Sequence, residues 1–523
     1  MSVATMTSFS ENKLWYSCIT LLLIAVFLNL WVQPVYLEEP RRAIVAMEME
    51  ENQNLIVPTL MGEFYYKKPP FFNWVLMLSA KVFGGYHAWA LRFPTVLSVL
   101  FSACLLYWMG KRYVNLEHGR LLALLYPLSA GLLFYFSTLG EIDLFYALIC
   151  IASFCCIFHF HQKGQYLTLF LLAYLLTAIG TLTKGLPSIA FTGLTLLAWF
   201  WSEKQLKRLF SWQHLAGMLL FGLLMSAYLW AYQQYNPLSA YLQELLAESG
   251  GRTALGNTVL DFFEHLFVFP LDTLKDLLPG SLLIFFLFRK GWRAKLLENE
   301  WVRFALIVFV VNFILYWLSP GARQRYIYML YPFFLSAIIY VWQQSKQFED
   351  RPSAIFRGLI FFLLVVLALG SLSLPFIPDL SFLKNKIGLT VLAFLAFAGL
   401  FYFFWKKQIP ALWTLIAVTL LARMLFDLTV LPQRAYSSNA QKDQVIAQQM
   451  YAITGAQPVH LLEDSRISLS IIYYFNLLSG QTLHRNYDLE AGSYYIVPKE
   501  NFADREALME ITYNDKPYIL VKF

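Results

Sequence analysis

The chain has 523 residues, of which 58% are hydrophobic, 18% aromatic and only 14% charged. That balance excludes an ordinary soluble globular protein and points to a polytopic membrane protein. The formal charge of +7 does not signal a nucleic-acid partner. Lys and Arg fall in short clusters between apolar runs, the pattern that sets membrane topology.

About thirteen apolar runs read as membrane-crossing helices. They lie at 15–32, 87–109, 119–137, 144–160, 166–183, 186–201, 212–232, 279–288, 302–318, 326–343, 359–374, 387–405 and 409–426. The first lacks a small-residue cleavage site, so it is expected to stay as a span. With the N-terminus inside, the basic clusters Lys111-Arg112, Lys163, Lys204 with Lys207-Arg208, and Arg289-Lys290 with Arg293 and Lys295 share the cytoplasmic side. Lys346 with Arg351 and Lys406-Lys407 agree with the same orientation. An odd number of spans leaves the C-terminus outside. The loops 33–86 and 233–278 are then external, with Gly140 to Asp143, Lys184, Arg323 and Arg325 on the same face. Residues 1–426 form the membrane domain. After Phe426 the composition turns polar and mixed, and helical spacing over 441–453 with β-like runs at 459–462, 493–497 and 518–521 predicts a small external α/β domain over 427–523. Cys18, Cys104, Cys150, Cys155 and Cys156 lie inside apolar runs without ligand or disulfide spacing. No Gly-rich phosphate loop or internal repeat is present, so cytoplasmic nucleotide chemistry has no support.

The external face gathers unusual charge. Glu38, Glu39, Glu141 and Asp143 supply carboxylates, while Arg41, Arg42, Lys67, Lys68, Lys184, Arg252, Arg323 and Arg325 supply cations. Charges at the mouth of a membrane domain are costly unless they face a polar cavity. Arg forks and Lys point charges suit a lipid phosphate. A carboxylate beside them suits deprotonation of an acceptor, or support of positive charge growing at a sugar carbon. Together they describe group transfer from a lipid phosphate. The plainer alternative is that the basic pairs anchor helices at headgroup level and the acids are solvated. Lys184 argues against it, because Thr183-Lys184-Gly185 joins two apolar runs with almost no loop. His265 invites a metal reading, yet no second His stands at ligand spacing, and an interfacial role is the commoner one.

The run Leu37-Glu38-Glu39-Pro40-Arg41-Arg42-Ala43, then Ile56-Val57-Pro58 and Tyr65-Tyr66-Lys67-Lys68-Pro69, resembles the first external loop of the aminoarabinose transferases of lipid A and the related protein O-mannosyltransferases. These are membrane glycosyltransferases of the C superfamily. The resemblance continues, in order, through Leu91-Arg92-Phe93, Ile142-Asp143-Leu144-Phe145, Leu182-Thr183-Lys184-Gly185 and Ser319 to Tyr326. It implies inverting transfer of a sugar from a polyprenyl phosphate carrier to a lipid, glycan or protein acceptor. The setting it implies is the periplasmic face of a bacterial inner membrane, and a lipid A-like or glycan acceptor fits the loop matches better than a protein. By position it implies catalytic roles for Glu38 and Asp143. It implies substrate contacts for Glu39, Arg41, Tyr65, Lys68, Arg92, Lys184, Arg252, Arg323, Arg325 and Tyr326. Three departures stand out. Glu38 replaces an Asp, Lys67 replaces a Glu, and Glu248-Ser249 stands where a Glu-His pair is usual, which bears on any divalent metal. Two other classes compete: a transporter of lipid-linked sugars, which calls for midplane charges and repeated halves, and a binding protein that has lost its base.

Overall fold

The computed structural model describes residues 10–250, 259–288, 296–345 and 350–523. Its first half comprises α1 (Glu11–Phe27), α2 (Glu39–Glu51), α3 (Phe71–Phe83), α4 (Ala88–Tyr113), α5 (Leu116–Leu125), α6 (Ala130–Phe134), α7 (Ile142–Gln162), α8 (Tyr166–Lys184), α9 (Pro187–Ser202), α10 (Trp212–Gln233), α11 (Leu238–Gly250) and α12 (Val259–Asp276). The second half adds α13 (Glu300–Trp317), α14 (Tyr331–Gln343), α15 (Arg351–Ser371), α16 (Lys386–Trp405), α17 (Ala411–Ser437), α18 (Asn439–Thr454) and α19 (Leu469–Ser479). Eight of the described helices are long and apolar enough to cross a membrane, or nine if the bent pair around α5 and α6 is one span. The other apolar runs also coil, but as shorter segments: α1, α9, α14 and the 3-10 stretch Gly280–Phe288.

The spans alternate in direction, which sorts the loops into two ends. At one end Arg303 pairs with Glu203 at 2.5 Å, Arg120 donates to Asn12, and Asn299 donates to the Tyr113 carbonyl. The basic clusters that fall among the described residues lie at this end. At the other end Arg92 meets Glu39 and Lys184 meets Asp143. The two ends are thus chemically distinct, as the charge pattern predicts.

The C-terminal unit sits on the second of these ends. In the first external loop β1 (Thr59–Leu60) pairs antiparallel with β2 (Glu63–Phe64), and the sheet of the C-terminal unit has five strands, β3 (Val459–Leu462), β4 (His484–Asn486), β5 (Tyr494–Pro498), β6 (Met509–Tyr513) and β7 (Lys516–Lys522), in the order β4-β3-β5-β7-β6. β3 runs parallel to both its neighbours, and β7 antiparallel to both of its own. The small α/β fold agrees with the sequence. The expected boundary at 426 does not coincide with a structural one: α17 leaves the apolar zone but stays helical to Ser437, and Ser438 caps the start of α18. Composition changes where the helix meets water, not where the helix ends.

This unit shares a core with the first external loop. Val35, Ala43, Ile44, Phe72, Leu76 and Tyr86 pack in one buried cluster with Met450, Leu461, Ile471, Ile472 and Leu520. Hydrogen bonds stitch the two together: Val35 N–H to the Tyr474 hydroxyl at 2.8 Å, the Tyr473 hydroxyl to the Tyr86 carbonyl at 2.6 Å, and Arg485 N–H to the Met61 carbonyl at 2.8 Å. α2 is therefore buried on most of its circumference although its sequence is rich in charge.

Candidate active site

Leu37 adopts a left-handed φ of 58°, Glu38 caps the start of α2, and Pro40 sits in the helix's first turn, where a missing N–H costs nothing. This start aims two adjacent glutamates in different directions. Glu39 turns inward and is fully buried against Arg92, whose Nε and Nη2 each donate to the carboxylate at 2.8 Å. The same guanidinium donates to the carbonyls of Leu30, Gln33 and Pro34. Glu39 also accepts the Gly140 N–H at 2.6 Å. One buried ion pair thus fastens the end of the first span, the start of α2, α4 and the segment before α7. Glu39 and Arg92 do not line the cavity described next, a departure from the substrate contact expected of them. With every polar atom of the pair turned to protein, they position the loop instead.

Glu38 points the other way, into a cavity of about 220 Å³. Its wall carries the carboxylates of Glu38, Glu141 and Asp143, and the cations of Arg41, Arg42, Lys67, Lys68, Lys184 and Arg325. Tyr65 and Tyr326 complete it. Residues from the first external loop, the α7 start, the α8 end and the segment before α14 meet here, so the convergence expected from sequence is realised in space.

Lys184 is fixed most firmly. It closes α8, where the helix dipole favours a cation, and Gly185, at φ 90°, ends the helix before Pro187 opens the next. Its ammonium lies 2.5 Å from Asp143 Oδ1 and over the rings of Tyr326 at 4.7 Å and Tyr146 at 5.1 Å. Arg325 reaches the other Asp143 oxygen at 4.0 Å. Asp143 is thereby committed to holding two cations. Glu38 Oε2 pairs with Arg41 at 2.5 Å. Arg42 is buried and donates to the Tyr65 hydroxyl at 3.4 Å. Burial opposes its charge, but Tyr65, Glu141 and Glu38 around it raise its pKa on balance. The Nε–H groups of Arg42 and Arg325 are buried and have no hydrogen-bond acceptor among the described residues.

Glu141, which the sequence reading counted among the carboxylates but did not place in the site, has an altered proton affinity. Burial pushes its carboxyl up to about 7, Asp143 adds to the rise, and Arg42 opposes it. A carboxyl that titrates near neutrality, beside a donor-rich pocket, is suited to proton transfer. Its sequence signal was adjacency to Asp143, but burial is a tertiary property.

The remaining expectations fall elsewhere. Arg323 is exposed and outside the cavity wall. Arg252 lies outside the described residues, as do the side chains of Glu248 and Ser249. His265 Nε2 is 3.0 Å from the Tyr316 carbonyl and its ring lies on Phe269, a packing role where α12 meets α13. Among the described residues no group of three or more His, Cys, Asp or Glu side chains gathers in metal-ligand fashion.

Similarity to known proteins agrees with this geometry. The family model for dolichyl-phosphate-mannose-protein mannosyltransferase matches residues 67–230. The undecaprenyl phosphate-alpha-4-amino-4-deoxy-L-arabinose arabinosyl transferase of Edwardsiella ictaluri is 26% identical over 424 residues, covering 77% of this chain and 73% of the relative. The second such transferase of Sodalis glossinidius is 27% identical, covering 71% and 67%. The crystal structure of ArnT from Cupriavidus metallidurans bound to undecaprenyl phosphate superposes with a TM-score of 0.73 over 98% of both chains, at 13% identity. The chain shares the fold of that ArnT structure. The apo form of that ArnT gives a TM-score of 0.68, again over 98% of both chains. The likeness of fold therefore extends through the C-terminal unit.

Proposed function

We propose that the protein is a polyprenyl-phosphate-sugar-dependent glycosyltransferase that acts at the periplasmic face of a bacterial inner membrane on a lipid A-like lipid or glycan. The observation that carries this is the cavity at the end opposite the basic loops, where Asp143 fixes Lys184 and Arg325 among four further cations and beside the Glu141 carboxyl. The relatives' names specify undecaprenyl phosphate carriers, and the family model a dolichyl phosphate one. Both are sugars on a lipid phosphate, which is the chemistry such a cation set recognises.

In the reaction, the bond between the anomeric carbon and the phosphate oxygen breaks, and its electron pair stays on the phosphate. Lys184, Lys68 and Arg325 stabilise the charge growing there, commonly the largest catalytic term. An acceptor oxygen attacks the opposite face of the sugar, which inverts the configuration. If that oxygen is a hydroxyl, its proton passes to Glu141 or Glu38; if it is a phosphate, no base is needed. Asp143 serves by orienting Lys184 and Arg325. Tyr65 and Arg41 hold Arg42 and Glu38 in place. Midplane charges and repeated halves, which a transporter calls for, do not carry this site. The test is release of free polyprenyl phosphate by protein in nanodiscs supplied with polyprenyl-phosphate sugars and envelope lipids. Acceptor-dependent release, lost in Lys184→Met, is expected. Carrier binding without release under any donor and acceptor would overturn the reading.

A further inference from the structure

The chain reaches the cavity lysines through the short hairpin β1–β2. Its turn is Met61-Gly62, with both residues at positive φ, 57° and 81°. Asn or Gly suits the first of these positions and Met does not. A hairpin of two residues per strand has little stability of its own. Two partners hold it. From inside, the fully buried Glu48 of α2 accepts the Met61 N–H at 2.5 Å and the Gly62 N–H at 3.1 Å. From outside, the edge strand β4 donates the Arg485 N–H to the Met61 carbonyl at 2.8 Å, and the His484 ring lies beside Gly62. The Tyr487 hydroxyl adds a hydrogen bond to Glu63 at 3.0 Å. The chain entering β4 is itself tied to α2, where Glu51 accepts the Thr482 N–H at 3.2 Å.

Beyond the hairpin the chain runs straight into the site. The Tyr65 N–H donates to the Pro58 carbonyl at 2.9 Å and closes the hairpin's base. Tyr65, Lys67 and Lys68 then line the cavity before Pro69-Pro70 lead into α3. A displaced turn therefore displaces the lysines. The described wall of the cavity includes neither Glu48 nor Arg485. A buried carboxylate is costly where an apolar side chain would pack without penalty, so the two amides it holds account for Glu48 better than packing does. We propose that Glu48 and strand β4 form a clasp on the β1–β2 turn that positions Lys67 and Lys68 for the phosphate of the donor. This rests on the transferase reading, and it gives the C-terminal unit a share in donor binding from outside the cavity.

The full chain in nanodiscs is compared with Glu48→Leu, Glu48→Gln and Arg485→Pro; the last removes one N–H from an edge strand, on the side turned to the hairpin. Displacement of labelled polyprenyl phosphate gives Kd, carrier release gives KM and kcat for the donor, and melting gives stability. Kd and KM of folded Glu48→Leu are expected to rise about tenfold, the worth of one hydrogen bond to a charged group. Glu48→Gln, which keeps one acceptor oxygen, and Arg485→Pro should rise less. Lys68→Ala should weaken binding in the parent and add little once Glu48→Leu is present, because the two act through one contact. A purely structural Glu48 would lower the melting temperature and leave Kd and KM of the folded protein unchanged. That result, or additive losses in the double variant, overturns the proposal. If Glu48→Leu does not fold, Arg485→Pro carries the comparison, and an unchanged Kd there overturns it. If the parent binds no polyprenyl phosphate, the transferase reading fails by itself and hydrogen exchange over residues 61–68 decides on the clasp: faster uptake in the variants supports it, and equal uptake overturns it.

Discussion

Replacing Arg92 by Leu tests the idea that one buried ion pair sets the geometry of the site. The guanidinium makes five hydrogen bonds, two to Glu39 and three to the carbonyls of Leu30, Gln33 and Pro34. Its loss strands a fully buried carboxylate that keeps only the N–H groups of Gly140 and Tyr36 among the described residues. Breaking a buried pair on one side costs about 3–5 kcal/mol. A combined Arg92→Leu, Glu39→Met protein removes both charges, and such apolar replacements are often neutral in stability. The single variant should therefore melt about 3–5 °C below the parent in detergent, and the double variant should recover most of that. Activity should not recover, because the Glu39 to Gly140 link that sets Glu38 against Glu141 and Asp143 is gone. Fluorescence-detected melting with the carrier-release assay reads both quantities. A single variant as stable as the parent, or a double variant with full activity, would refute the reasoning.

Three further outcomes follow from the same geometry. Gly140→Ala would place a Cβ 2.7 Å from the Leu91 carbonyl oxygen, so the backbone before Glu141 must shift; a loss of about 1–3 kcal/mol, measured by melting, is expected from such overpacking. The folded protein keeps a proton on Glu141 up to about pH 7, whereas the unfolded chain releases it in the ordinary carboxylate range. Folded protein thus binds more protons in that window, stability falls as pH rises through it, and Glu141→Gln should flatten that fall in a pH series of melting curves. Removing residues 439–523 exposes the core shared with the first external loop, and limited proteolysis should then cut between residues 33 and 86, where the full chain resists.

The sequence showed the membrane class, the external charge cluster and Lys184, because each is written in local pattern: apolar runs, alternating basic loops, and a lysine squeezed between two spans. Local pattern could not show that Glu38 faces the cavity while Glu39 is buried away from it. The two are neighbours in the chain, and which of them meets Arg92, 53 residues away, depends on where α2 starts. Glu141 was visible as a carboxylate, but only packing around the α7 start gives it an altered proton affinity. The helix α19 went unread because Leu469 to Leu478 is apolar without helical alternation, and it is covered on one side by α18 and on the other by α2. Strands β4 and β6 are short or half-exposed and carry weak signals of their own.

The core that joins the first external loop to the last residues of the chain also orders events in time. Synthesis proceeds from the N-terminus at about 5–20 residues per second. The loop that bears Glu38 and Lys68 is made early, yet Met450, Ile471 and Leu520, which cover it, follow several hundred residues later. During the intervening tens of seconds the spans are inserted while the loop lacks the part of its core that the C-terminal unit supplies. A lipid-linked sugar arriving in that interval meets an unassembled pocket. Synthesis of residues 439–523 is thus the step that completes the core beneath the site, and a chain that stops before them leaves the loop without it.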